Sequence, residues 1–427
     1  MELPPPATPP FYDPLSGMER SGRIPRMPVP VDLPRPDRWR YIPEGRIPPG
    51  NMAERFLVTT FVSPIFYHEE DIGYGGGIAL TDIDFRGQRR REFLGAFASQ
   101  SSEGQEDYRV VWKRALHHRR LAAGGVAIEE RGVVRASAGY ERSRTRRFFG
   151  FGPESREAAE TSFTDELSSA GAIWQDGIPA AGDDLVISAG GRLEHRNLTR
   201  GRVVDRPSTE DSFPAVVAAG DHHDALWLSA GVRWDTRDSQ HQPYRGWVVG
   251  VRSDGTPAQT SGEMGTVSTL HALAVHPVWS PWHAGGDAGE ENPPTDTVII
   301  GGFVAAASGE LPFWALPSLG GPDTLRGYIA NRFTDRATWH ATGEYRTWVV
   351  PRGFALTDAI RMERFGLAAF YDIGTVAPRL SALDDADLAD SWGFGLRMAF
   401  ERTAVFRVDV GFSDEDTTVT AAFGTSL

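Results

Sequence analysis

The chain has 427 residues, of which 40% are hydrophobic and 24% are charged. This composition suits one large β-architecture or about two or three ordinary domains, and it excludes a disordered polyelectrolyte. The 44 basic and 57 acidic residues give a net charge of −13, which argues against a nucleic-acid-binding protein. The absence of cysteine excludes disulfides, thiol nucleophiles and cysteine-ligated zinc. No apolar run reaches the roughly 18 residues of a membrane-spanning helix, so soluble proteins and membrane β-barrels remain.

The first 50 residues hold 14 of the 30 prolines and show no hydrophobic period. This composition is typical of an extended, polyproline-like arm. The chain begins Met1-Glu2-Leu3 without the basic and apolar leader of a secretory signal, and we expect an exported protein whose signal peptide is absent from this sequence. We therefore predict an arm over residues 1–55 and one folded unit over residues 56–427.

From about Phe56 onwards, apolar residues alternate with small or polar ones, and this period of two predicts β-strands. Turn sequences such as Ser101-Ser102-Glu103-Gly104 separate the segments. An even number of strands suits a closed antiparallel barrel. The predicted strands are 56–67, 73–85, 91–102, 106–117, 119–145, 160–175, 183–196, 223–237, 246–253, 264–279, 296–309, 337–350, 363–376, 390–402, 403–413 and 416–427.

The two faces of each predicted strand distinguish a membrane barrel from a soluble β-sandwich. In 390–402, Trp392, Phe394 and Leu396 share one face, whereas small residues and Arg397 share the other. Aromatic-rich faces of this kind are typical of strands that cross a bilayer, for which about 9–11 residues suffice. The sequence therefore favours an all-β transmembrane antiparallel barrel of about sixteen strands over a sandwich.

The most specific motif lies between the eleventh and twelfth predicted strands, in Leu319-Gly320-Gly321-Pro322-Asp323-Thr324-Leu325-Arg326-Gly327-Tyr328. Its Gly-Gly pair followed by Leu-Arg-Gly-Tyr resembles the signature of the bacterial surface-antigen superfamily, the BamA–TamA type of outer-membrane barrel. The resemblance implies that a loop folds into the lumen and plugs it. Further family-like patterns follow in the family's order: Phe148-Phe149-Gly150-Phe151-Gly152, Asp235-Thr236-Arg237-Asp238 with Pro243 and Gly246-Trp247, and Phe370-Tyr371-Asp372-Ile373-Gly374.

The partners of Arg326 can be sought among the inward-facing carboxylates, because a guanidinium is permanently charged and offers a planar set of donors. Strand parity turns Asp372 inward beside the outward Tyr371, and Glu344 inward beside the outward Tyr345. The resemblance places the role of arginine partner on the same two carboxylates.

The tip of the lumen loop is expected to consist of Leu325, Arg326, Gly327 and Tyr328. Gly327 would allow a sharp backbone turn where a Cβ could not fit. Tyr328 would pack its ring against the inner wall.

Other chemistry-bearing residues form no recognisable catalytic or metal site. In His117-His118 and His222-His223 the two rings would point to opposite faces of a strand, so neither pair has metal-ligand geometry. No Gly-x-Ser-x-Gly elbow is present, and the glycine-rich segment 73–77 lacks the following Lys-Ser/Thr of a phosphate loop. We expect no enzymatic activity, no cofactor and no metal.

The resemblance implies a barrel whose first and last strands pair weakly, so that a lateral seam exposes strand edges to an incoming segment. Pro64 in the first predicted strand fits such a seam because it cannot donate a ladder hydrogen bond, and Phe423 lies in the last predicted strand. We expect insertion or translocation of polypeptides, or of other envelope components, through this seam in the bacterial outer membrane. The expected partners are membrane lipid, lipopolysaccharide and unfolded polypeptide, and no nucleic acid.

Two alternatives remain at this point: a passive structural barrel or pore that keeps the loop as a plug, and a soluble all-β binding protein. Residues 1–55 are too short for the periplasmic polypeptide-transport domains of the family, so we expect a member without them.

Overall fold

The computed structural model describes residues 33, 35–42, 50–69, 72–122, 125–283, 293–351, 353–355, 361–400 and 404–424. Sixteen strands form one continuous antiparallel sheet that follows the order of the chain, apart from short inserted strands. This sheet confirms the predicted all-β antiparallel architecture. No helix in the described ranges is long and apolar enough to span a membrane.

Strands are numbered along the chain. The large sheet consists of β2 Thr60–Glu69, β3 Gly73–Asp82, β4 Glu92–Ser101, β5 Glu106–Ala115, β8 Val133–Phe148, β9 Thr161–Ile178, β10 Leu185–Arg200, β11 His222–Asp235, β12 Gly246–Gln259, β13 Gly265–Val278, β14 Asp296–Gly309, β17 Ala337–Val350, β20 Arg364–Ala377, β21 Ala389–Phe400, β22 Ala404–Phe412 and β23 Thr417–Phe423.

The remaining elements are short. Three small sheets pair β1 Trp39–Ile42 with β7 Val126–Glu129 and β6 His118–Arg120, β15 Ser318–Leu319 with β16 Phe333–Thr334, and β18 Phe354–Ala355 with β19 Arg361–Met362. The helices are α1 Met52–Thr59, α2 Thr209–Ser212 and α3 Pro214–Ala218.

Two predicted strands differ from the structure for local reasons. Residues 56–59 end α1 instead of beginning a strand, because the Asn51 side chain accepts from the backbone N–H of Glu54 while the Glu54 side chain accepts from that of Asn51. The long segment 119–145 divides into the hairpin β6–β7 and the start of β8. The expected division at residues 55/56 falls inside α1, and the large sheet begins at Thr60.

The side chains of the barrel wall alternate between the outer and the inner face, as the sequence predicts. In β21, Trp392 and Phe394 are 50% and 57% exposed on the outer face, whereas Arg397 on the inner face is 1% exposed. The inner faces hold most of the buried charge, so the interior of the barrel is polar. Its largest fully buried side chains include Arg131, Arg326, Arg332, Arg346, Arg397 and Arg407.

The barrel has two ends, which we call the turn end, where β2 begins, and the loop end, where β2 finishes. At the loop end, Arg332 donates to the Ser155 carbonyl at 2.6 Å and to Glu415 at 2.6 and 2.7 Å. Ser155 follows the fifth strand of the sheet and Glu415 precedes the sixteenth, so these contacts show that the sheet curls round.

The strands also differ in length. β2, β3, β4 and β5 have 10 residues each, and β22 and β23 have 9 and 7. In contrast, β8, β9 and β10 have 16, 18 and 16 residues. Within the part of the chain that the structure describes, no ladder joins β2 to β23, the first and last strands of the sheet.

Candidate functional site

The loop between β14 and β17 folds inward and is closed by the β15–β16 pairing. Gly320 and Gly321 have φ values of +111° and +92°, a conformation that side chains disfavour. Because the Gly321 N–H donates to the Tyr328 carbonyl at 2.9 Å, the loop doubles back on itself. An apolar cluster of Leu319, Leu325, Tyr328 and Phe333 with Val376 of β20 fastens it to the wall.

Arg326 lies at the tip of this loop and is 1% exposed. Its Nε and Nη2 donate to the two carboxylate oxygens of Asp372 at 2.9 and 2.8 Å, and its Nη1 donates to Glu344 Oε2 at 2.8 Å. Nη2 also reaches Thr342 Oγ1 at 3.2 Å, and the guanidinium carbon lies 3.5 Å from the centroid of the Phe370 ring. The structure thus brings together the three residues that parity and the resemblance paired.

The electrostatics at Arg326 favour the charged form. Burial alone would lower the pKa of Arg326, but hydrogen bonds and charges from Asp372 and Glu344 outweigh burial and raise the pKa above its ordinary value. A guanidinium held by two carboxylates serves as a fixed structural cation, so its chemistry is that of a clamp and not of a proton donor.

Glu344 is shared among three arginines. Beside Arg326, it accepts from Arg346 Nη2 at 2.7 Å and from Arg397 Nη2 at 2.8 Å. Arg346 lies two residues away on β17, and Arg397 lies on β21, two strands further along the sheet. One carboxylate therefore connects the loop with two strands of the wall.

Asp409 on β22 continues the same network. It accepts from Arg397 Nη1 at 2.6 Å and from Arg407 Nη1 at 2.9 Å. Arg407 in turn donates to Asp323 and to the Pro322 carbonyl, at 2.5 and 2.7 Å. We call the whole set the arginine lock: Arg326, Arg346, Arg397, Arg407, Glu344, Asp372 and Asp409, all at most 2% exposed.

A glycine is needed at position 327 for a different reason from the one that the sequence predicts. The backbone φ of Gly327 lies outside the left-handed region that favours glycine. Instead, a Cβ at this position would lie 2.7 Å from the Phe412 carbonyl carbon and 2.8 Å from the Ser391 Cβ. Glycine is required here because the loop lies against the wall backbone, not because the chain turns sharply.

Tyr328 packs edge-to-face on Phe333, with ring centroids 5.3 Å apart, and its hydroxyl donates to Asp414 at 2.5 Å. Burial, and then the hydrogen bond to Asp414, raise the pKa of Tyr328. Sequence reasoning placed the ring against the inner wall but missed this hydrogen bond to the turn between β22 and β23.

The loop also grips the last hairpin of the sheet through its backbone. The hydroxyl of Thr418 on β23 donates to the Arg326 carbonyl, and that of Ser413 donates to the Gly327 carbonyl at 2.8 Å. Arg332, which sequence reasoning missed, adds the ion pair with Glu415 and lies 4.8 Å from the Phe149 ring centroid. The position of Arg332, beyond the Leu-Arg-Gly-Tyr motif, gave no signal of these contacts.

The predicted seam residues lie on the two edge strands. Pro64 is exposed in β2 and is the register partner of Ile78 on β3. Phe423 is the register partner of Phe406 at the end of β23, and its side chain lies outside the described part of the structure. The contribution of both residues to a seam stays a prediction.

A second assembly fills the turn end, and sequence reasoning missed it. We call it the turn plug: residues 33 and 35–42, the hairpin β6–β7 with residues 130–132, and the turn 236–245 between β11 and β12. The turn folds inward, because Gln240 accepts from Arg233 and Gln175 at 3.2 and 3.4 Å, and His241 Nε2 lies 3.4 Å from Lys113 Nζ.

The centre of the turn plug is Arg131, which has no exposed surface. Its Nη2 donates to the carbonyls of Asp235 and Arg237, at 3.3 and 2.5 Å. Arg38 donates to the same two carbonyls at 3.2 and 2.5 Å. The two family-like turn residues therefore hold Arg38 and Arg131 through their backbone oxygens, while the buried Asp235 carboxylate accepts from the Arg237 side chain at 2.8 and 2.9 Å.

One histidine of each pair contacts a neighbouring polar side chain. His117 Nε2 lies 2.8 Å from Asp176 Oδ1, and His222 Nδ1 lies 2.6 Å from Asn197 Oδ1. Across the described ranges, no group of three or more histidine, aspartate or glutamate side chains could hold a metal ion.

Comparisons with known proteins agree with this architecture. A family model described as the Omp85 superfamily domain matches residues 181–427, more than half of the chain. A structure of BamA from Haemophilus ducreyi lacking POTRA domains 1–3 is similar, with a TM-score of 0.51, 14% identity and coverage of 86% of this chain and 70% of that one. CdiB from Escherichia coli is similar with a TM-score of 0.52, 11% identity and coverage of 90% of this chain and 66% of that one. Among curated protein sequences, none is significantly similar.

Proposed function

The chain belongs to the Omp85 superfamily, and from that premise we propose that it is a bacterial outer-membrane barrel that assists the insertion or translocation of polypeptides through a seam between β2 and β23. The turn end faces the periplasm and the loop end faces outward. No covalent step is involved, and the partners are outer-membrane lipid, lipopolysaccharide and an unfolded polypeptide.

The observation that carries this proposal is the unequal support of the two edge strands. The last hairpin is held from inside by Thr418, Ser413, Asp414 and Glu415, all bonded to the lumen loop. For β2, the described ladder contacts run only to β3. One edge is thus fixed and the other depends on a single neighbour, an arrangement that supports opening between them.

The lumen contents weigh against a passive pore. The arginine lock occupies the lumen beside β17, β20, β21 and β22, and the turn plug occupies it beside β5, β9 and β11. A pore requires a continuous aqueous path, whereas a seam lets a segment leave sideways without moving either assembly.

The outer wall supports lipid contact. Phe66, Ile300 and Leu193 are 84%, 64% and 62% exposed, on three well-separated strands. Side chains of this kind are stable in hydrocarbon and would be unfavourable in water over so wide a surface.

The test locks the seam in a chain that contains no natural cysteine. Cysteine pairs are placed at Val62 or Ser63 on β2 and at Val419 or Thr420 on β23, and the abundance of other outer-membrane proteins is measured in cells that carry each variant. We expect at least one pair to oxidise, because facing Cα atoms in a sheet lie within the roughly 4.4–6.8 Å of a disulfide. Oxidation should abolish assembly activity, and reduction should restore it.

The matched control is a disulfide between the register partners Ser63 and Ala79, which joins β2 to β3 and leaves the seam free. It should form without loss of activity. A seam crosslink that leaves activity intact would reject the seam, and the absence of any seam crosslink would reject closure between β2 and β23.

A further inference from the structure

We propose that the edge of β7 that pairs with β1 is a binding site for an extended polypeptide segment, and that residues 35–42 of the same chain occupy it as a tethered stand-in. The ligand class is an unfolded segment in which an arginine directly precedes a large aromatic residue. The inference deepens the proposed function and rests on it, because it assigns a place where the incoming polypeptide is first held.

The backbone part of the site is a strand edge. Trp39–Ile42 pair antiparallel with Val126–Glu129, in the register Trp39↔Glu129 to Ile42↔Val126, and β6 covers the other edge of β7. Addition of an extended segment to a sheet edge is a general mode of peptide recognition, in which main-chain hydrogen bonds give affinity without regard to sequence.

The aromatic subsite is a buried pocket. Trp39 is 4% exposed and packs with Leu33, Leu121 and Ala127. Gly182 lines the opening with a φ of +83°, and a Cβ added there would lie 3.7 Å from Trp39 Nε1. A large flat side chain fills this space, so the pocket selects for tryptophan or a comparable ring.

The cationic subsite lies one residue earlier. Arg38 is 8% exposed, and besides the Asp235 and Arg237 carbonyls it contacts Asp184 Oδ1 at 3.1 Å. Arg35 reaches Asp183 and Asp184 at 3.2 and 2.9 Å. Carbonyls and carboxylates on one rim favour a cationic segment over a neutral or acidic one.

The site is preformed without its occupant. Arg131 donates to the same two carbonyls as Arg38, so these acceptors keep one guanidinium when Arg38 leaves. The side-chain contacts of Arg35, Arg38 and Trp39 run to turns and to the β6–β7 hairpin, and every ladder of the large sheet is independent of them. Release of the occupant would expose an unpaired strand edge and an empty apolar pocket, which only another extended segment satisfies.

The occupant is also held by a short ladder. Four residues pair in β1, against 7 to 18 in the strands of the large sheet. Short ladders open more readily than the long ones of a barrel wall, so exchange with a second segment is favoured here.

The first experiment measures binding of a fluorescent peptide with the sequence of residues 33–42 to the full chain in detergent micelles. In the wild-type protein the tethered occupant competes at high effective concentration, so the peptide should bind weakly. In the double variant Arg38→Ala, Trp39→Ala the occupant is weakened, and the peptide should bind at least about tenfold more tightly. A peptide of the same composition, in a scrambled order that places no arginine directly before an aromatic residue, is the matched control and should not gain affinity.

The second experiment fixes the occupant. Cysteines at the register partners Arg40 and Ile128 should oxidise and tie β1 to β7. The disulfide should abolish peptide binding, and reduction should restore it. Failure of the peptide to bind the double variant, or binding that the disulfide does not affect, would overturn the site.

The two proposals fail in distinguishable ways. If the peptide binds as described while a seam disulfide leaves outer-membrane assembly intact, the β7 site stands and the proposed function falls. If the seam disulfide blocks assembly and the peptide does not bind, the function stands and the β7 site falls.

Discussion

The arginine lock and the turn plug both bury guanidinium groups in the barrel lumen, but they differ in what accepts the hydrogen bonds. In the lock, Arg326 donates to two carboxylates, Asp372 and Glu344. In the plug, Arg38 and Arg131 donate to the backbone carbonyls of Asp235 and Arg237. Carboxylates make strong, charge-assisted bonds that become costly when broken, whereas a neutral carbonyl leaves no buried charge behind when a partner departs. The plug also has carboxylates near its guanidinium groups, with Asp184 3.1 Å from Arg38 and with Glu129 and Asp235 3.7 and 4.0 Å from Arg131, but most of these distances are longer than those in the lock.

From this difference we predict that the lock is permanent and that the plug is exchangeable. The lock joins the lumen loop to β17, β20, β21 and β22, so its loss affects the wall itself. The plug mainly joins loops to one another, with polar contacts to the wall at Lys113, Gln175 and Arg233, so we expect its loss to stay local. The following substitutions test that distinction, beginning with the one expected to have the largest effect.

Arg326→Ala should destabilise the barrel by about 3–5 kcal/mol, because it leaves two buried carboxylates without their shared cation. Arg326→Lys should recover only part of this loss. The lysine keeps the positive charge, but its ammonium group cannot reproduce the bidentate bond to Asp372. The measurement is the urea midpoint of unfolding in detergent. Arg109→Ala, at an arginine whose side chain is 51% exposed beside Asp107, is the control and should change stability by at most about 1 kcal/mol.

Glu344→Gln should cost somewhat less, about 3 kcal/mol, because the amide keeps the shape of the side chain but leaves Arg326, Arg346 and Arg397 with one fewer negative charge. The double variant Arg326→Ala, Glu344→Gln should be less destabilised than the sum of the two single variants, because the residues share one network. Additive losses in the same urea assay would contradict a single lock.

Arg131→Ala should act locally. It removes a buried donor from the Asp235 and Arg237 carbonyls and the cation 3.7 Å from the buried Glu129 carboxylate, which keeps its hydrogen bonds from the backbone N–H groups of residues 131 and 132, a loss of about 1–3 kcal/mol to the plug. Hydrogen exchange should become faster in residues 118–132 and 236–245, while the urea midpoint of the barrel stays unchanged. A midpoint shift as large as that of Arg326→Ala would remove the distinction between the two assemblies.

The smallest effect is a pH dependence of the plug. Burial, and then the neighbouring Lys113, lower the pKa of His241 to about 4. Because the closed turn disfavours the protonated ring, its stability is complete above the ordinary histidine pKa of about 6.5 and is lost as pH falls from there towards 4. Opening of residues 236–245, measured by hydrogen exchange corrected for intrinsic rates, should rise about tenfold between pH 7.5 and 5.5. In His241→Gln this rise should be absent.

The strands of the barrel wall and part of the arginine lock could be predicted from the sequence. In strands such as β20 and β21 one face is buried, and the period of two that results is visible in the sequence of each strand. Arg326, Asp372 and Glu344 could be brought together because parity sorts inward from outward side chains. The cation–π contact with Phe370 was not foreseen, although the same parity turns Phe370 inward.

The turn plug could not be predicted for a physical reason. Its central guanidinium groups donate to the backbone carbonyls of Asp235 and Arg237, and because every residue carries a carbonyl, the sequence gives no signal of these two contacts. Trp39–Ile42 is also too short to show a period, and it lies in a proline-rich stretch that favours an extended arm. Long-range pairing of four residues leaves almost no trace in a single sequence.

Strand length has a consequence for the surrounding lipid. With a rise of about 3.3 Å per residue and a tilt of about 45°, strands of 7 to 10 residues span ~16–23 Å, and strands of 16 to 18 residues span ~37–42 Å. The hydrocarbon core of a bilayer is about 30 Å thick, so lipid beside β2 and β23 must become thinner, at a cost of fractions of a kcal/mol per Å of mismatch. A strand that leaves the barrel there enters the membrane where its thickness, and hence the barrier to insertion, is already reduced.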